Sequence, residues 1–178
     1  MAVTTSFSLA FIKRIDIAFA SSDADVTALA NGGFVGIGED TDHVDGTFFN
    51  PDSNHTSTFG PVTGALAAID QLTNGNLVIV GQDLDSVLFT IVNSVTGATV
   101  VPTVDLNDTN SSDADVAALT GGRFVIVNQD FFGGGPSGDN DIDVTIRNAD
   151  GSAFTSFTID TSTAIRCSRP CRYRRRHR

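Results

Sequence analysis

The 178 residues carry 21 acidic against 11 basic side chains, no Trp and a single Tyr. Gly, Thr, Val, Asp and Phe abound while Lys, Glu and Met are scarce, a bias towards strands and tight turns and away from helices. Every acidic residue lies at or before Asp160, and seven of the arginines lie at or after Arg166. A body this acidic repels nucleic acid and anionic membranes; it either attracts cations or simply stays soluble, and no apolar run is long enough to cross a membrane as a helix.

The first 20 residues alternate. Phe7, Leu9, Phe11, Ile15, Ile17 and Phe19 share one parity, the pattern of a strand. Lys13, Arg14 and Asp16 interrupt the unbroken apolar stretch that a secretory leader requires. The string SSDADV, then Ala-Leu, then a two-glycine turn and Phe-Val follows at 21–35 and returns at 111–125. A looser copy occupies 67–78, and the anchors Phe34, Leu77 and Phe124 stand 43 and 47 residues apart. A period in that range marks a repeat architecture.

Each repeat reads as four strands. The first is 25–29, 68–72 or 115–119; a Gly- or Asn-rich turn follows; the second is 34–38, 77–80 or 124–127. In the second and third repeats this second strand is apolar at every position, the mark of a strand buried on both faces. The third strand is clear at 87–92 and 142–146 and weak near 47–49; the fourth is 99–104 or 154–159 and short near 57–62. Four antiparallel strands per unit describe an all-β protein, an incomplete β-propeller of about three four-stranded blades plus an extra N-terminal strand. A β-sandwich is the rival, but a sandwich does not need one unit copied three times.

The expected organisation is a closing strand of a partial blade in 1–20, blades over 21–63, 64–110 and 111–160, and a basic tail over 161–178. Propellers close with four to eight blades, so three should leave blade faces and edges open. The chain is then expected to form a homo-oligomer or to be part of a longer protein. The tail RCSRPCRYRRRHR matches nothing upstream. It reads either as a basic functional tail or, the favoured reading, as out-of-frame translation: if its Arg codons are CGN, a one-base shift from Arg169 permits Asp-Pro-Ala-Asp-Ile-Ala-Ala, close to the opening of a blade. Its Cys167 and Cys171 offer no disulfide framework and a weak metal signal.

The candidate chemistry is oxygen ligation of a hard cation such as Ca2+. Asp23/Asp25 and Asp113/Asp115 stand two apart, which on a strand places both carboxylates on one side. The alternative is that they open the blade and accept turn hydrogen bonds; the middle repeat keeps neither pair. A second recurrence, Glu39-Asp40, Gln82-Asp83 and Gln129-Asp130, leads into acidic stretches with Asp42, His43 and Asp45, with Asp85, and with Asp139, Asp141 and Asp143. These are Asp-rich loops of calcium-binding type or solvated turns; the bidentate Glu of an EF-hand is missing. His43 and His55 share a loop and could hold a metal, though unpaired surface histidines are commoner. Gly133 to Gly138 is Gly-rich without a Lys to meet phosphate, and reads as a flexible insertion. No GxSxG, HExxH or P-loop occurs, so no enzyme is expected.

The units resemble tandem repeats of large secreted RTX-type, calcium-binding and adhesin-like bacterial proteins, of the form Asp-x-x-Val-x-x-Leu-x-x-Gly-Gly-Phe-Val-Val. The matching positions are Asp23, Val26, Leu29, Gly32, Gly33, Phe34 and Val35, and Asp113, Val116, Leu119, Gly122, Phe124 and Val125. The resemblance covers roughly 21–160 and implies propeller blades, an extracellular location, and a spacer or ligand-binding role with the ligand unknown. Gly38, Gly81 and Asn128 stand where the family often closes the second strand with an aromatic residue, and the nonapeptide calcium repeat is missing. A non-enzymatic structural or binding module is therefore expected; the alternative is a Ca2+-dependent adhesive or carbohydrate-binding domain.

Overall fold

A computed structural model of the chain describes residues 23–40, 43–84, 86–107, 111–133 and 139–159. The expected closing strand in 1–20 and the tail over 161–178 lie outside them, as do Asp42, Asp85 and the stretch 134–138. The described residues form twelve strands: β1 (Ala24–Ala28), β2 (Phe34–Asp40), β3 (His43–Phe49), β4 (His55–Thr63), β5 (Ala65–Gln71), β6 (Leu77–Asp83), β7 (Ser86–Val92), β8 (Thr99–Asp105), β9 (Ser111–Leu119), β10 (Arg123–Gly133), β11 (Asp139–Asn148) and β12 (Ala153–Ile159). They pair as three four-stranded sheets in simple up-and-down order, β1 to β4, β5 to β8 and β9 to β12. All pairings are antiparallel. No helix is long and apolar enough to cross a membrane among the described residues.

One hairpin closure recurs. At Leu29, Asn50, Leu72 and Asn148 the N–H of the first residue bonds the carbonyl four on, and the N–H three on bonds back to the first carbonyl. The residue three on takes a positive φ each time: Gly32, Ser53, Gly75 and Gly151. This is a type I turn followed by a left-handed residue, the usual three-residue hairpin loop. Asn31, Asn74 and Asp150 each accept the N–H two residues on. The Ser152 hydroxyl, and then its N–H, hold the Asp150 carboxyl below its ordinary range.

The sheets stack face to face through their first strands: β1 lies against β5, and β5 against β9. Two cores result. Between the first and second sheets, Val35, Ile37, Phe48 and Phe59 meet Ile69, Leu77, Ile79 and Val92. Between the second and third, Val78, Val80, Phe89 and Ile91 meet Val116, Phe124 and Ile126. Strand β6 divides its side chains between them, Leu77 and Ile79 to one and Val78 and Val80 to the other, as alternation along a strand requires. The continuous apolar run of β6 is thus a strand with a core on each side.

The first repeat departs from expectation in two elements, one of them β4, which was expected to be short and runs nine residues. β3 is a full seven-residue strand rather than a weak one. Gly46 occupies the place that Phe89 holds in the second sheet, opposite Ile37 as Phe89 is opposite Val80. The missing volume comes from Phe59 on β4, paired with Gly46 and packed on Phe48 with ring centroids 5.4 Å apart. A Cβ on Gly46 would fall 2.1 Å from the Phe59 ring. Gly46→Ala should therefore lower stability by about 1–3 kcal/mol through overpacking. At Gly75 a Cβ has open space, but φ is +88°, so Gly75→Ala should cost about 1–2 kcal/mol from backbone strain alone. Urea unfolding with an unchanged m-value checks both.

Candidate functional site

The first strand of each sheet has one neighbour in its own sheet and leaves its other edge unpaired. Unpaired strand edges expose N–H groups that need acceptors, and in this chain side chains supply them across the sheet boundaries. Asp25 accepts the N–H of its own neighbour Val26 on Oδ1 (2.7 Å) and that of Ile69, in the next sheet, on Oδ2 (3.0 Å). Asp70 repeats the device one sheet on: Oδ1 takes the Gln71 N–H (2.7 Å) and the Thr27 hydroxyl (3.2 Å), and Oδ2 takes the Ala118 N–H of β9 (2.7 Å). The Gln71 amide oxygen accepts the Ala30 N–H (2.7 Å). The carboxylates of the first strands therefore tie each sheet to the next.

The two Asp-Ala-Asp segments converge. Asp23, Asp25, Asp113 and Asp115 line one cavity of about 330 Å3, with Ala67 and Ala68 of the middle repeat between them. The middle repeat lacks the pair at this point because Ala68 stands where Asp25 and Asp115 stand; Asp70, two residues later, takes over the bond to the next sheet. Sequence reading missed Asp70 because it stands where the other repeats carry Thr27 and Ala117 rather than at an Asp-Ala-Asp position.

The other candidate acidic residues that the structure describes lie in strands rather than in loops. Asp45 is in β3, with His43 Nε2 3.3 Å from its Oδ2. His43 and His55 do not share a loop: His43 starts β3, and His55 starts β4 opposite Phe49, the other end of β3, with its ring edge-on to Phe49. Asp130 in β10 faces Asp141 in β11 directly, and neither is without a partner. Asp40 ends β2 and Asp139 begins β11, but their side chains lie outside the description. Among the described residues no three or more His, Cys, Asp or Glu side chains are grouped to hold a metal ion.

Sequence reading also missed a buried polar knot between the second and third sheets. Gln82 Nε2 donates to the Ser111 carbonyl (2.7 Å), and Asn128 Nδ2 donates to the Ser111 hydroxyl (3.1 Å). The amide oxygens of Gln82 and Asn128 are buried there without a protein partner, an arrangement suited to an internal water.

No protein-family model matches the chain, and no curated protein does. Among solved structures, a eukaryotic initiation factor superposes with a TM-score of 0.56 at 13% identity, over 82% of this chain and 34% of that one. A protein of unknown function from Bacteroides caccae superposes with a TM-score of 0.50 at 15% identity, over 75% of this chain and 48% of that one. At such identities the likeness is one of fold. The chain spans about a third of the first structure's length and about half of the second's.

Removing the Asp25 carboxylate leaves the Ile69 N–H without an acceptor at a partly buried site. Asp25→Ala and Asp70→Ala should each lower stability by about 1–3 kcal/mol. Asp23→Ala, at an exposed position before β1, should change it by no more than about 0.5 kcal/mol. Equal effects of Asp23→Ala and Asp25→Ala in urea unfolding would refute the tie.

Proposed function

We propose that this chain is a non-enzymatic structural or binding module: its three sheets are successive blades of an incomplete β-propeller, and it associates with copies of itself through the blade faces left open. The observation that carries this reading is the stacking. Four-stranded meanders follow one another with β1, β5 and β9 side by side, the arrangement of blades around an axis. Among the described residues the last sheet has a final strand exposed along its whole length, Phe154, Phe157 and Ile159 included. Apolar surface of that kind marks an interaction site on a protein in water. An extracellular setting is part of the proposal and rests on the resemblance of the 21–35 and 111–125 strings to secreted repeat proteins.

Light scattering coupled to size-exclusion chromatography tests it. At micromolar concentration the expected mass is a multiple of the chain's own. A single-chain mass that does not change with concentration overturns the reading.

The second reading is a Ca2+-dependent adhesive or carbohydrate-binding domain, favoured by the convergence of four aspartates on one cavity. Both oxygens of Asp25 already accept backbone N–H groups, which is why the structural reading is preferred. A ligand of the native state raises the melting temperature in proportion to RT ln(1 + [L]/Kd). On the first reading, millimolar Ca2+ leaves the melting temperature where it is; a rise of several degrees selects the second.

A further inference from the structure

Resting on the reading of the sheets as blades, we propose that the outward face of the third sheet is the socket for the first sheet of a second copy, joined head to tail. The chain makes this joint twice internally, which shows what each half looks like when filled. In the second sheet, Val80 lies opposite Phe89 and Phe89 opposite Val104. Val80 and Phe89 are buried in the core shared with the third sheet, and Val104 packs against it. In the third sheet the same places belong to Val127, opposite Val144, and Phe157, opposite Val144 on the other side. Phe124 and Ile126 point into the core with the second sheet, so alternation turns Val127 and its cross-strand neighbours to the far side. Phe157 is 51% exposed there, and its neighbours Ile142 and Ile159 are 40% and 48% exposed, while Val144 at the centre of the face is buried and Val127 is half-buried. The third sheet repeats the apolar face that the second sheet buries, with no following sheet among the described residues.

The complementary half is at the other end of the chain. Val26 holds the place of Ile69, opposite Gly36 as Ile69 is opposite Ile79. Ile69 is 4% exposed because the first sheet covers it; Val26 is 62% exposed. One end of the stack therefore offers a covering face, and the other offers an uncovered first strand. The contact is heterologous, and such contacts make rings when the rotation closes. The described residues of two copies supply six four-stranded sheets, within the four to eight blades of closed propellers.

The test uses the full chain under reducing conditions, with mass read by light scattering and folding by circular dichroism and melting. Wild type is expected to be a dimer. Phe157→Asp and Val26→Asp alter exposed positions and are expected to yield folded monomers, with the dimer dissociation constant raised at least 100-fold. Mixing the Phe157→Asp and Val26→Asp proteins restores dimers, because one joint of the mixed pair carries neither substitution. Dimers that survive Phe157→Asp overturn the socket while leaving the self-association reading intact. Dimers lost with Phe157→Asp but kept with Val26→Asp mean that two third sheets meet face to face, which overturns the head-to-tail joint. A monomeric wild type overturns both readings and gives the face to another segment of the same chain.

Discussion

Everything in this structure depends on β6 having a core on each side. A strand whose neighbouring side chains enter two different cores cannot belong to a single sheet with one wet face. Leu77 and Ile79 commit the second sheet to the first, and Val78 and Val80 commit it to the third. Burying a Val, Leu or Ile fully contributes about 1.5–3 kcal/mol, so these four residues alone supply an amount comparable to the net stability of a small domain. The three sheets are one cooperative stack for that reason, and the outer two are each half-dressed versions of the middle one.

Stacked sheets leave a second difficulty, the unpaired edges of their first strands. Free strand edges invite pairing with other chains. Here Asp25, Asp70 and the Gln71 amide accept N–H groups along those edges. The bonds run across the sheet boundaries, so they both cap an edge and set the register of one sheet on the next. A carboxylate that meets an N–H in this way is directional where the apolar cores are not. The acidity of the body thus has a structural component beside its general effect on solubility.

Much of the architecture was legible because its causes are local. Parity gave the two-faced strands, Gly and Asn marked the hairpins, and the repeated SSDADV string marked the unit. The first repeat was less legible because its aromatic volume moved across the sheet: Gly46 breaks the pattern on β3 while Phe59 restores the packing from β4. Such an exchange is visible only once cross-strand pairs are known. Asp45, Asp130 and Asp141 looked like loop residues because hydrophilic runs bounded by Gly imitate turns, yet β3, β10 and β11 run through them. The paired aspartates were picked out from the sequence, but not their hydrogen-bond partners, since Asp25 reaches Ile69 across 44 positions of chain. Asp70 could have been found by asking which residue of the middle repeat makes up for Ala68.

The central claim, that the middle sheet is enclosed on both sides and the stack is tied along its inner edge, is tested most directly by native-state amide hydrogen exchange. Exchange reports opening free energies that span fraying edges to the global unfolding reaction. The account predicts that the amides of Leu77 to Val80 exchange only through global unfolding and that those of Ile69 and Ala118 are protected although they lie on strand edges. It also predicts that the β12 amides facing away from β11 exchange far faster. Amides in β6 exchanging as fast as those of β12, or unprotected Ile69 and Ala118, would contradict it.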